Sequence, residues 1–449
     1  MKNLKYLILT ISSFLLFTSC DRELDIDSEQ GISTETAIST PEGIQQILIG
    51  AYKNTGDGDL FGGDVQIYGD LLADDGYLYW WGTYAELGHI YEKSIISDNV
   101  YVRDTWARAY KVINATNVVL ENLSVVKDED DKKRIEGEAK FLRALNYFEL
   151  VRFFGKQYEA GKNNTQLGVP IVLKTTTDFN GDLSVARNSV EEVYTQVVKD
   201  LKEAINNLPS ENSYYADTYS AQALLSRVYL QKGDYTNARD LANDVIENSG
   251  KSLMPNYKDA FNTSENISED LFAMQVTSQS GENDLITFYA DEAQGGRGGD
   301  ITLTEDFLGL FEPDDVRGSF YYYNYYDDVL TSKYTNQYGN IHVIRLAEMY
   351  LIRAEANYRL GTSLGATPLD DINTIRDRAK ASALTTVTLD DILLERRREL
   401  AFEGFLIHDI KRTKGNVGSL NWNSDKLVFP IPLREMQVNN KLVQNPGYN

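Results

Sequence analysis

Residues 220–249 read SAQALLSRVYLQKGDYTNARDLANDVIENS, and their spacing decides the fold class. Leu225, Ser226, Tyr229, Gly233, Tyr235, Ala238 and Ala242 stand at the positions of a tetratricopeptide repeat. Large side chains on the first helix face small alanines on the second, so two antiparallel helices can approach closely.

Working outward, Arg345–Tyr358 followed by Leu360-Gly361 reads as the first helix of a second pair, with Pro368–Ala379 as its partner. Glu138–Phe154 and Val190–Asn206 form a third, which meets the minimum for a stable stack. Helical periods start near Thr40, with Ile44, Ile47, Leu48 and Tyr52, and recur in Trp106, Tyr110, Ile113 and Leu120. The expectation is a mostly α, tetratricopeptide-like scaffold. Two windows break the pattern and are expected to be loop-rich insertions. Residues 54–100 are rich in Gly, Asp, Trp and Tyr; residues 261–340 hold Gly295-Gly296-Arg297-Gly298-Gly299 and the run FYYYNYY at 320–326. Long insertions in a repeat scaffold usually carry function, because the scaffold holds them while their sequence varies.

The 449 residues carry 44 Lys+Arg against 67 Asp+Glu, a net charge of −23, which argues against nucleic-acid binding. The single Cys excludes an internal disulfide and any Cys-rich metal centre. It is Cys20, placed after Lys2, Lys5 and an apolar run from Tyr6 to Phe17. That is a secretory signal, too short as a helix to cross a bilayer. A Cys in this position resembles a bacterial lipobox, although Phe17 stands where Leu is commoner; an ordinary cleaved signal is the alternative. The expected organisation is a signal over 1–19, an acidic tether over 20–39 starting at lipidated Cys20, and one body over 40–449.

Four stretches in order resemble the SusD/RagB family of outer-membrane nutrient-binding lipoproteins. They are Glu138–Phe148 continuing to Phe154-Gly155 and Gly168-Val169-Pro170; Asp315-Val316-Arg317; the Arg345–Ala356 helix; and Glu395–Gly404 with Asp409–Arg412, Pro430-Ile431-Pro432 and the ending Gln444–Tyr448. Leu406-Ile407-His408 departs from the family pattern of an Arg and an aromatic pair. The resemblance implies four tetratricopeptide-like pairs beneath an irregular ligand-binding portion. It also implies an outer-membrane location facing the exterior and a SusC-like TonB-dependent transporter as partner, to which oligosaccharide or, in some members, peptide is delivered. No catalysis is expected. Independently, the alternating charge of Arg396–Glu399 suits ion pairs locking a terminal helix to the body.

A search for chemistry finds little. His89, His342 and His408 lie in unrelated segments without metal-ligand spacing. Asp57, Asp59 and Asp64 suggest calcium, but Phe61 and Tyr68 stand where an EF-hand needs oxygen ligands, so only a looser structural calcium site stays open; no cofactor is expected. Carboxylate pairs for glycoside hydrolysis are too many to be informative. The Gly295–Gly299 run lacks the Gly-Lys-Ser/Thr ending of a phosphate loop and reads as a mobile loop.

Glycans are bound by exposed aromatic rings with polar side chains beside them. The expected ligand-binding residues are Asp75, Tyr79, Trp80, Trp81 and Tyr84 in the first window, and Arg297, Tyr322 and Tyr325 in the second. At most one of the adjacent Trp80 and Trp81 should point inward, and the tyrosine run could equally be a strand with one face packed. A peptide ligand, a surface glycosidase and a bare protein-binding scaffold are the alternatives to glycan capture.

Overall fold

The computed structural model describes residues 37–176, 182–279, 281 and 283–448; Cys20 and nearly all of the tether lie outside the described residues. Helices α1 (Pro41–Thr55), α2 (Asp64–Ala73), α3 (Ala85–Tyr91), α4 (Val100–Glu121), α5 (Glu129–Phe154), α6 (Val190–Asn207), α7 (Thr218–Lys232) and α8 (Tyr235–Asn248) come first. After α9 (Asp284–Tyr289) and α10 (Glu305–Leu308) follow α11 (Leu346–Leu360), α12 (Pro368–Arg378), α13 (Leu389–Glu399), α14 (Leu406–Arg412) and α15 (Leu433–Val438).

Local signals set the helix ends. Ser189 with Glu192, and Thr367 with Asp370, form capping boxes at the starts of α6 and α12, satisfying first-turn N–H groups. Gly233 and Gly361 end α7 and α11 with φ of 73° and 65°, where a Cβ would be strained. Ser226 Oγ donates to the Ala238 carbonyl at 2.8 Å and Gln222 Nε2 to Asp244 at 2.8 Å, so α7 and α8 run antiparallel.

The long helices pack in succession: α1 on α4, α4 on α5, α5 on α6, α6 on α7, α7 on α8, α8 on α11 and α11 on α12. This is a run of four pairs, α1/α4, α5/α6, α7/α8 and α11/α12. The three expected pairs are present, and the fourth is closed across the first insertion, since α1 and α4 flank residues 56–99. The second insertion enters between α8 and α11.

The Arg396–Glu399 cluster is structural, as its charge pattern implies. Arg396 bonds Asp409 at 2.8 Å, and Arg345 bonds Glu269, Glu399 and Glu403 at 2.6, 3.1 and 2.7 Å. Arg378 also pairs with Glu399, while Arg317 of the Asp315-Val316-Arg317 motif bonds Asp315 at 2.7 Å and Glu395 at 2.6 Å. All these side chains except that of Asp409 are buried, so each charge depends on its partners. Burial alone would push the Glu403 carboxyl up, but Arg345 and Lys333 together hold it at about 2.

The first insertion is less loop-like than expected. All ten residues of α2 are buried, and each of its acids accepts from a tyrosine: Tyr68 Oη donates to Asp64 and Tyr289 Oη to Asp70, both at 2.8 Å. Helix α2 packs on α14, and Gly69 permits the approach, since a Cβ there would lie 2.2 Å from the Gly404 carbonyl oxygen.

Short strands join the two insertions. β1 (Leu78–Trp80), β3 (Ile301–Leu303), β4 (Tyr321–Tyr323) and β5 (Val329–Thr331) form a four-stranded antiparallel sheet in the order β1-β3-β5-β4. Leu78, Leu303, Val329 and Tyr323 stand in one register row across it. A separate pair, β2 (Asp270–Met274) with β6 (Ile341–Arg345), leads into α11.

Candidate ligand-binding site

Strand alternation gives the four-stranded sheet two unlike faces. Leu78, Ile301, Leu303 and Val329 are buried and point to the core. The opposite face carries Tyr79 paired with Thr302 and Tyr322 paired with Leu330.

At the β1 edge of that face Tyr79 is 50% exposed and Trp81 64% exposed. Their rings lie 5.7 Å apart at 48°. Trp81 is held to β3 and to the residue before it, its indole Nε1 donating to Thr302 Oγ1 at 3.0 Å and its amide N–H to the Asp300 carbonyl at 2.7 Å. The indole is thus fixed at its polar edge while much of its surface meets solvent. Beside it the Arg297 guanidinium lies 4.3 Å over the Tyr84 ring and donates to Thr83 Oγ1 at 3.1 Å. Arg297 Nη1 and Asp300 Oδ2 are 3.8 Å apart, and neither atom has a hydrogen-bond partner among the described residues. Burial pushes the Asp300 carboxyl up, and Arg297 opposes that shift.

Two of the expected residues lie apart from this aromatic group. Trp80 belongs to the inward face: its ring lies 6.0 Å from Phe288, and a Cβ on Gly82 would sit 2.3 Å from its six-membered ring. The reason is the period of two along β1, which sends neighbouring tryptophans to opposite sides. Asp75 is exposed, but it sits against the Gly418 turn and acts electrostatically on Lys93 and Arg397 rather than joining the aromatic group.

The Gly295–Gly299 segment, expected as a mobile loop, is tied down. Gly296 N–H donates to the Asp291 carbonyl at 2.8 Å, Arg297 N–H to Thr287 at 3.2 Å and Gly299 N–H to Ala290 at 2.9 Å. Three of its four glycines are needed sterically: φ is 94° at Gly295 and 78° at Gly299, and a Cβ on Gly296 would lie 2.1 Å from the Ala290 carbonyl oxygen. The segment covers Leu330 and so divides the outward face.

On its far side Tyr322 Oη donates to Asp291 Oδ1 at 3.3 Å and accepts from the Asp291 amide at 3.0 Å; burial raises this phenol to about 12. The tyrosine run is therefore a strand for three residues and then a turn, in which Tyr325 and Tyr326 are 92% and 77% exposed. They open on a cavity of about 340 Å³ lined also by Asp291, Glu292, Ala293, Gly298 and Asn324. Tyr326, Asp291, Glu292, Thr83, Asp300 and Thr302 were not singled out from the sequence; Tyr326 alone carried a signal, as a neighbour of Tyr325.

Two of the histidines stay out of this region: His342 Nδ1 lies 2.5 Å from Asp270 Oδ1, and burial pushes the His408 imidazole well down. Asp57 and Asp59 ion-pair with Arg108 at 3.2 and 2.9 Å. Among the described residues no three acids, histidines or cysteines gather to hold a metal ion.

Residues 23–230 match the family described as "Starch-binding associating with outer membrane", and residues 311–428 match the SusD family. A SusD-like protein of Bacteroides ovatus is 26% identical over 88% of this chain and 80% of its own length. SusD-like protein P2 of Formosa agariphila is 24% identical over 99% of this chain and all of its own. The crystal structure of a SusD superfamily protein from Bacteroides thetaiotaomicron superposes with a TM-score of 0.83 at 29% identity, covering 91% of this chain and 100% of that one. Two family matches in chain order, full-length relatives and a shared architecture of helix pairs under a small sheet place this chain in the SusD/RagB family of outer-membrane-associated, carbohydrate-binding proteins.

Proposed function

We propose that this protein captures a glycan on the outward face of the four-stranded sheet, without cleaving it, and passes it to a SusC-like TonB-dependent transporter. The single observation that supports capture most strongly is the Tyr79/Trp81 pair, solvent-exposed yet with its indole edge fixed by Thr302. A fixed exposed ring offers a stacking surface for the C–H face of a pyranose at little cost in side-chain entropy. Arg297 and Thr83, bonded to each other beside it, supply donor and acceptor groups for hydroxyls. The family's outer-membrane description supports anchoring through acylated Cys20, facing the exterior, with residues 20–39 as tether.

The test is calorimetry or affinity electrophoresis against neutral and acidic polysaccharides, with Trp81→Ala alongside and reducing-end release monitored. Binding to a glycan without hydrolysis, lost in Trp81→Ala while the fold persists, is the expected result. Turnover abolished by a single carboxylate change would replace this reading with a glycosidase; co-purification of a TonB-dependent barrel tests the delivery step.

A further inference from the structure

The cavity beyond the glycine segment differs in chemistry from the Trp81 site. Its charged lining is Asp291 and Glu292, with no Lys or Arg among its lining residues. Its walls are the two most exposed tyrosines of the described chain, with ring centroids 5.3 Å apart and nearly perpendicular planes. The hairpin turn that presents them is braced: Asn324 Oδ1 accepts from the Tyr326 and Asp328 amides, each at 2.9 Å. Asp291 Oδ1 is committed to Tyr322 and to the Gln294 amide, which fixes that carboxylate at the cavity wall. The Glu292 side chain is exposed and makes no hydrogen bond or ion pair with another described residue, while its carbonyl accepts from the Gly295 amide at 3.2 Å.

Carboxylates only accept hydrogen bonds, and phenol faces attract cations through the ring quadrupole. Two acids and two exposed rings therefore suit a compact group that is positive and rich in N–H donors. The net charge of −23 adds long-range attraction for such a group. The Trp81 site, by contrast, carries its own cation, Arg297.

We propose that the Asp291/Glu292/Tyr325/Tyr326 cavity binds the protonated amine of an amino sugar, borne by a glycan that also stacks on Tyr79 and Trp81. This rests on the reading of the outward face as a glycan site and names a ligand class for it: glycans with free, non-acetylated amino groups.

The experiment is calorimetry on the full chain purified in detergent, at mildly acidic pH, with three probes: a glucosamine hexamer, its fully N-acetylated counterpart and hexalysine. The glucosamine hexamer should bind about tenfold or more tighter than the acetylated one, with a preference that fades as salt rises. Glu292→Gln, a surface change, should reduce that preference several-fold and leave binding of the acetylated hexamer unchanged, and Tyr325→Ala should also reduce the preference several-fold. Equal binding of the two hexamers, or a preference that survives both changes, overturns the proposal while leaving glycan capture intact if Trp81→Ala still abolishes binding. Hexalysine binding more tightly than the glucosamine hexamer also overturns it, assigning the cavity to basic peptide. Loss of no glycan affinity in Trp81→Ala would instead overturn the capture reading.

Discussion

Trp81 Nε1 donates to Thr302 Oγ1 at 3.0 Å, joining two insertions across 221 positions of sequence. The bond leaves the indole face free and fixes its direction. Trp81→Ala should therefore weaken glycan binding by about tenfold or more, as loss of an aromatic anchor does, with little change in thermal unfolding. Trp80→Ala should do the reverse, lowering stability by about 2–4 kcal/mol through the cavity left beside Phe288 while the ligand face persists. Calorimetry and thermal denaturation of the two variants separate the roles.

Gly69 and Gly404 mark where the first insertion meets the C-terminal motif. Gly404 has φ of 80°, and a Cβ on it would lie 2.5 Å from Gln66 Cα. Gly69→Ala should cost about 2 kcal/mol or more, because both colliding groups are backbone and cannot swing aside. Urea unfolding should show a lower midpoint with an unchanged slope.

Asp70 is buried under the sheet, and burial pushes its carboxyl up from 3.8 to about 7, against the opposing effects of Tyr289 and Lys333. A raised folded value means the native state favours the protonated form. Its contribution is complete below about pH 4 and is lost as pH rises through 7. Asp70→Asn, which keeps an acceptor for Tyr289 Oη, should therefore gain melting temperature relative to the parent between pH 4 and 8. Parallel curves across that range would refute this.

Glu403 has the opposite sign. Held at about 2 by Arg345 and Lys333 despite its burial, it contributes stability above its ordinary value of 4.5 that is lost as pH falls toward 2. Glu399→Gln should destabilise by about 3–5 kcal/mol, because Arg345 and Arg378 would keep their charges with less to balance them. Chemical denaturation at neutral pH measures this directly.

Cys20 lies outside the described residues, and its proposed acylation has a simple check. Cys20→Ser expressed in a Gram-negative host with lipoprotein processing should move from the membrane pellet to the soluble fraction and lose the mass of its acyl chains. Retention in the pellet after that change would argue for a different anchor.

The scaffold was legible along the chain because helices are local. The period of 3.6 in Ser220–Ser249, the alanines at 238 and 242 and the glycine stop at 233 act within one or two turns. The buried charge network was half legible: Arg396–Glu399 announced ion pairs, but the partners Glu269, Arg345 and Arg378 come from other elements. Helix α2 was hidden because Asp64 and Asp70 look solvated until Tyr68 and Tyr289 are placed beside them.

Sequence alone thus determined the repeat class, the charge, the lone cysteine and the two aromatic windows, all properties of composition or of neighbours along the chain. Tertiary structure decided which aromatics are exposed. Strands of three residues are too short to show a period, and β1 finds its partner more than two hundred positions away, Leu78 with Leu303. That pairing sends Trp81 outward and Trp80 inward, and brings Arg297 to Tyr84.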